Sequence, residues 1–152
     1  MEQITLNAGA VRVTDPCYEP DVWCAATIHD ILPGKWNCEV EESSGVICSL
    51  TIRHEDYPYL QPRENIGFAA VDSGQCGFFD PDYFGQNQPD NDYDNPQSWY
   101  RRVCELTLNH PSWGTIEGKG VVSSSGYGDG SYDIFACRND SGHIVGLQLW
   151  FM

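Results

Sequence analysis

The sequence predicts a mainly β protein, an antiparallel β-sandwich or curved sheet with one α-helix packed against it. Three observations carry that expectation. Short runs alternate apolar and polar residues and are closed by Gly, Pro, Asn, Asp or Ser, the pattern of half-buried strands and their turns. One stretch, around Trp99, repeats apolar residues at helical spacing instead. At 152 residues, 41% of them hydrophobic, the chain reads as one domain over 1–152. A domain of that size buries roughly 70% of the surface exposed by its unfolded chain.

The elements follow in chain order. In "ITLNAGAVRVTDP" Val11 and Val13 alternate with Arg12 and Thr14, which reads as one strand stopped by the Asp15-Pro16 turn. Residues 31–55 read as a hairpin: Pro33-Gly34 opens it, Trp36, Cys38 and Val40 share a face, and Ser43-Ser44-Gly45 makes the turn. A short apolar strand at 66–71 leads directly into Asp72-Ser73-Gly74-Gln75. The helix is expected over 96–108, with Asn95 as its cap, Pro96 in its first turn and Trp99, Val103 and Leu106 along its buried stripe. Three strands then come from "GKGVVSSSG", "GSYDIFACRN" and "HIVGLQLWF", the last two joined by a tight "DSG" turn.

Charge narrows the function. The formal charge is −14, from 22 acids against 8 bases, so the surface repels nucleic-acid phosphates and anionic membranes. Direct nucleic-acid binding and membrane binding are not expected. An acidic surface serves solubility, or it imitates nucleic acid toward a basic protein partner. The first residues lack a basic start and an apolar run, which reads as no signal peptide and a cytoplasmic protein. Seven cysteines, an odd number with no C-x-x-C spacing, read as buried free thiols. A structural zinc would call for paired ligands, and no cofactor is expected. The pattern is compatible with a homo-oligomer.

Two polar blocks are the candidate site. In "VDSGQCGFFD", Asp72 ends a strand, with Ser73 and Gln75 as hydrogen-bonding neighbours. The alternative is a turn in which the Asp bonds its own backbone. In "SSSGYGDGSYD", Ser123, Ser124 and Ser125 put hydroxyls on both faces of a strand, including the buried one, where they need partners. The block lacks the lysine and the following helix of a phosphate-binding P-loop. It reads either as a hairpin loosened by Gly126, Gly128 and Gly130 or as a rim whose backbone amides hold an anion. Asp15 precedes Pro16, and Cys17 has no local cation but Arg12, so it is expected to line a pocket and not to act as a thiolate nucleophile. Asp90, Asp92 and Asp94 imitate a calcium loop but lack its glycine and its closing glutamate, which leaves a solvated acidic loop.

These blocks, together with "DPCY", "PGKW" and "WY", resemble a family of bacterial and bacteriophage proteins that carry the domain of unknown function numbered 4241. The resemblance implies a β-rich fold with the two polar blocks as shared features, and no activity. By analogy, small acidic phage proteins act against host defences by sequestering a nucleotide signal or blocking a defence protein.

The expectation that results is a non-catalytic protein that binds a small polar, nucleotide-like ligand. Asp15, Asp72, Ser73, Gln75, Ser123, Ser124, Ser125 and Asp129 would form its site, with Tyr127 or Trp36 as an aromatic face. The first rival is a metal-assisted hydrolase using Asp72, Asp129 and Asp133. The second is an acidic decoy that uses Asp90, Asp92 and Asp94 against a basic protein.

Overall fold

The computed structural model describes residues 2–17, 25–83, 98–126 and 128–151. Among them run β1 (Glu2–Leu6), β2 (Ala10–Thr14), β3 (Ala26–His29), β4 (Gly34–Ser43), β5 (Val46–His54), β6 (Glu64–Val71), β7 (Gln75–Phe79), α1 (Trp99–Leu108), β8 (Trp113–Ile116), β9 (Gly120–Ser124), β10 (Gly130–Arg138) and β11 (Ile144–Trp150). They form a six-stranded sheet, β1-β4-β5-β11-β10-β6, and a five-stranded sheet, β3-β2-β7-β9-β8. The described pairings within each sheet are antiparallel. The fold class is therefore the one the alternating runs predict.

The core lies between the sheets. Trp36, Leu50, Ile52 and Leu147 project from the six-stranded sheet against Val11, Val13, Phe78 and Val121 from the other. The hairpin face of Trp36, Cys38 and Val40 packs into this core as expected. A second apolar cluster sits on the outer side of the five-stranded sheet, where Phe79, Ile116 and Val122 meet Trp99 and Val103 of α1. β7 and β9 approach closely because Gly77 has no side chain; a Cβ there would stand 2.2 Å from the Val121 carbonyl oxygen.

Four details differ from the sequence reading. The first apolar run is two strands in different sheets, because the alternation changes phase between them. Ile4 and Leu6 are buried, then Val11 and Val13, and such a shift of one residue moves a strand's apolar set to its other face. The strands at 75–79, 26–29 and 113–116 lack a clear alternating signal. All five β7 residues are buried, since core covers one face and α1 cluster the other, while β3 and β8 are four-residue edge strands. The helix is capped by Ser98, whose hydroxyl accepts the Arg101 amide at 3.1 Å; Asn95 lies outside the described residues. Finally, "SSSGYGDGSYD" is no hairpin. It leaves β9 in one sheet and enters β10 in the other, so it crosses the end of the sandwich.

Candidate functional site

That crossing decides which loops become neighbours. Gln75 pairs with Ser124 across β7 and β9, and the Ser125 amide donates to the Gly74 carbonyl at 2.9 Å. A Cβ on Gly74 would sit 3.9 Å from Gly128 Cα and 4.0 Å from Asp129 Oδ1. The two polar blocks, far apart in sequence, thus lie side by side. Their side chains, however, do not converge on one point.

Asp15 organises the first loop. It is fully buried, and its Oδ2 accepts the amides of Asp72 at 3.0 Å and Ser73 at 2.8 Å. Its Oδ1 accepts the Cys17 amide at 2.8 Å and the Ser73 hydroxyl at 2.7 Å. A carboxylate offers about four lone-pair sites, so none is left for a ligand. The expected ligand contact at Asp15 gives way to a clamp that fixes residues 72–73 to the end of β2. Ser73 is spent on the same clamp.

The second loop has its own lock. Ser125 is buried and donates to the Gly128 carbonyl at 2.8 Å. The Tyr132 hydroxyl lies 2.5 Å from the Gly128 carbonyl oxygen and 3.1 Å from that of Ser125, and the ring packs edge-on against Phe151. Gly126 has φ +60, and a Cβ there would lie 2.8 Å from the Phe151 carbonyl oxygen, so glycine is required on both counts. The amide of Gly128 donates back to the Ser125 carbonyl at 2.9 Å. An anion at this turn would also meet Asp72 and Asp129. Their mutual repulsion helps hold the Asp72 carboxyl above its ordinary range, after burial and together with Asp15. The Asp72 and Asp129 carboxylates therefore work against the expected anion rim; Tyr127 lies outside the described residues.

The serine run splits three ways. Ser123 faces the inter-sheet core beside its register partners Cys76 and Trp113, fully buried and with no partner for its hydroxyl among the described residues. Ser125 closes its own turn. Ser124 lines a cleft of about 210 Å³ with Glu42, Gly45, His110, Ser112 and Gly126, and its amide donates to the Ser112 carbonyl at 2.9 Å. Gln75 points to the helix side, where its Nε2 lies 3.8 Å from the sulfurs of Cys17 and Cys104 and its Oε1 has no partner among the described residues. Burial, then Asp15, push the Cys17 thiol up to about 12, far from a thiolate. The six described cysteines are free thiols.

Among the described residues no group of three or more His, Cys, Asp or Glu is placed to hold a metal ion. Asp133 is aligned with Trp150 and Phe68 on the outer face of the six-stranded sheet, so the hydrolase set of Asp72, Asp129 and Asp133 does not assemble. Asp90, Asp92 and Asp94 lie outside the described residues. Trp36 is fully buried in the core and presents no aromatic face to a ligand. No described helix is long and apolar enough to cross a membrane.

Sequence reasoning missed Glu42, His110, Ser112 and Tyr132. Only Tyr132 had a local signal, its place beside the glycine block; the others arrive through strand order. No protein-family model, curated protein or solved structure matches this chain.

Proposed function

We propose that this chain is a non-catalytic binding protein that holds a small polar group at the end of the sandwich. The observation that carries the reading is the polar cleft of about 210 Å³ into which Ser124 opens, beside Glu42, His110 and Ser112. Its volume falls below the roughly 300–1,000 Å³ of pockets that enclose a drug-sized ligand. It therefore suits one hydroxyl- or amine-bearing group, with the rest of the ligand lying over the neighbouring rim. Glu42 in the cleft wall favours neutral or cationic groups and disfavours anions.

Asp15, Ser73 and Ser125 act here as supports, since locked loops reduce the entropy lost on binding. Binding is favoured over catalysis because Cys17 is held as a thiol, while the Ser73 and Ser125 hydroxyls are given to a carboxylate and a carbonyl. Sequestering a signalling molecule, in the manner of phage counter-defence proteins, is the role the reading gives the chain.

Titration calorimetry with neutral nucleosides, hexoses and short polyamines tests it. We expect saturable heat with at least one class, lost in Ser124→Leu, which fills the cleft while circular dichroism stays unchanged. Folded protein that gives no heat with any class rejects the proposal.

A further inference from the structure

The outer face of the six-stranded sheet carries groups that neither the core nor the end cleft uses. Strand register sets them in two rows. Trp150, Asp133 and Phe68 form one row across β11, β10 and β6; Gln148, Phe135 and Asn65 form the next. Trp150 is 40% exposed and Phe68 49%. Apolar surface gathered on one face of a sheet, rather than scattered singly, is what a binding surface presents.

Pro62, Arg63, Phe135, Gln148 and Trp150 line a groove of about 300 Å³ on this face, at the lower bound of small-molecule sites. The other described arginines are committed. Arg53 pairs with Glu39, Arg101 with Glu105, Arg102 with Glu117 and Arg138 with Glu64, and Arg12 donates to the Thr27 hydroxyl. Arg63 is exposed, and its guanidinium has no ion pair or hydrogen bond among the described residues. In a chain of charge −14, a free guanidinium beside two aromatic rings is a local invitation to an anion.

The groups are also ordered along the sheet. The Arg63 amide bonds the Ala136 carbonyl, and Asp133 lies three residues earlier on β10, roughly 10 Å away at the rise of a strand. Phe135 lies between them. One end of the groove is therefore cationic and its floor is aromatic with the Gln148 amide, while the Asp133 carboxylate stands outside the lining, in the register row of Trp150. The protein's remaining negative charge is screened beyond about 8 Å at physiological salt.

We infer that this groove binds a planar ring that carries an anionic group, of the nucleoside monophosphate class. The ring stacks on Trp150 and Phe135, and the phosphate pairs with Arg63. The site is independent of the end cleft, which disfavours phosphate.

Calorimetry on the full chain with adenosine 5′-monophosphate, adenosine and ribose 5-phosphate tests the assignment. The monophosphate should saturate, and adenosine and the sugar phosphate should each bind roughly tenfold or more weakly. Arg63→Gln should bring the monophosphate down to the adenosine level and leave adenosine unchanged. Trp150→Ala should weaken both by about tenfold, with Trp150→Phe restoring most of the loss. Ser124→Leu, which closes only the end cleft, should leave the affinity for the monophosphate unchanged. The inference falls if the monophosphate shows no saturable binding at millimolar concentration, or if its binding ignores Arg63→Gln and Trp150→Ala. Loss in Ser124→Leu alone would assign the nucleotide to the end cleft and reject this groove.

Discussion

The two outer faces of the sandwich are finished in opposite ways. On the five-stranded sheet, Phe79, Val122 and Ile116 are sealed under Trp99 and Val103 of α1. On the six-stranded sheet, Trp150 and Phe68 stand largely open. The contrast teaches what each kind of aromatic residue does. A sealed ring holds the fold together through lost apolar surface; an open ring contributes little to folding and keeps its surface for a partner. Polar groups show the reverse cost. Under the sealed side, Gln75 keeps a buried oxygen without a partner among the described residues, whereas Gln148 on the open side donates to the Thr51 hydroxyl at 2.9 Å.

The largest effect should come from the sealed face. Trp99→Ala removes packing against Phe79 and Tyr83 and a 2.6 Å hydrogen bond from the indole to the Pro16 carbonyl, a loss of about 3–5 kcal/mol. Phe68→Ala on the open face should cost within about 1 kcal/mol. Urea unfolding of both variants checks the pair, and equal losses would erase the distinction between the faces.

Next in size is the clamp at the sandwich end. Asp15→Asn puts an amide NH₂ where two donors already point and should cost about 2 kcal/mol. Asp129→Asn, at an exposed position, should stay within about 0.5 kcal/mol. Thermal unfolding of both at neutral pH is the measurement.

Smaller still is Ser123→Ala. Its hydroxyl is buried without a partner among the described residues, so deletion should be neutral or stabilising by up to about 1 kcal/mol. A clear loss in urea unfolding would reveal a partner for that hydroxyl.

The smallest effect is the pH dependence of Asp72. Burial first, then Asp15 and Asp129, raise its carboxyl above the ordinary 3.8, so the folded chain binds this proton more tightly than the unfolded chain does. Its contribution to stability is therefore lost as pH rises from the ordinary carboxyl value through the raised one. Asp72→Asn should gain about 0.3 kcal/mol or less at neutral pH, given solvent screening at an exposed side chain, and nothing in acid. A melting-temperature difference that widens as pH falls would contradict the sign.

Much of this architecture could be read locally. Trp36, Cys38 and Val40 announced their shared core face by alternation, and Trp99, Val103 and Leu106 announced the helix stripe by spacing. The phase change between Leu6 and Val11 was readable too, as the sign of two strands. β7 was hidden because both its faces are buried, which removes the alternation that marks a strand. The site was half legible. Asp72, Ser73 and the serine block stood out as polar residues in apolar company, and they do become neighbours. Their division of labour was not legible, since nothing near Asp15 in sequence says that its carboxylate will be filled by donors from residues 72 and 73.

What the sequence alone determined, then, is the set of elements and which face of each is apolar, because those properties depend on residues within one or two turns or strands of each other. Only the tertiary structure decided that "SSSGYGDGSYD" crosses between sheets, that Ser124 meets Ser112 and Glu42, and that Arg63 lies beside Trp150. Those meetings follow from strand order and register, which arise from how whole sheets pack and leave no mark in the local pattern of any one segment.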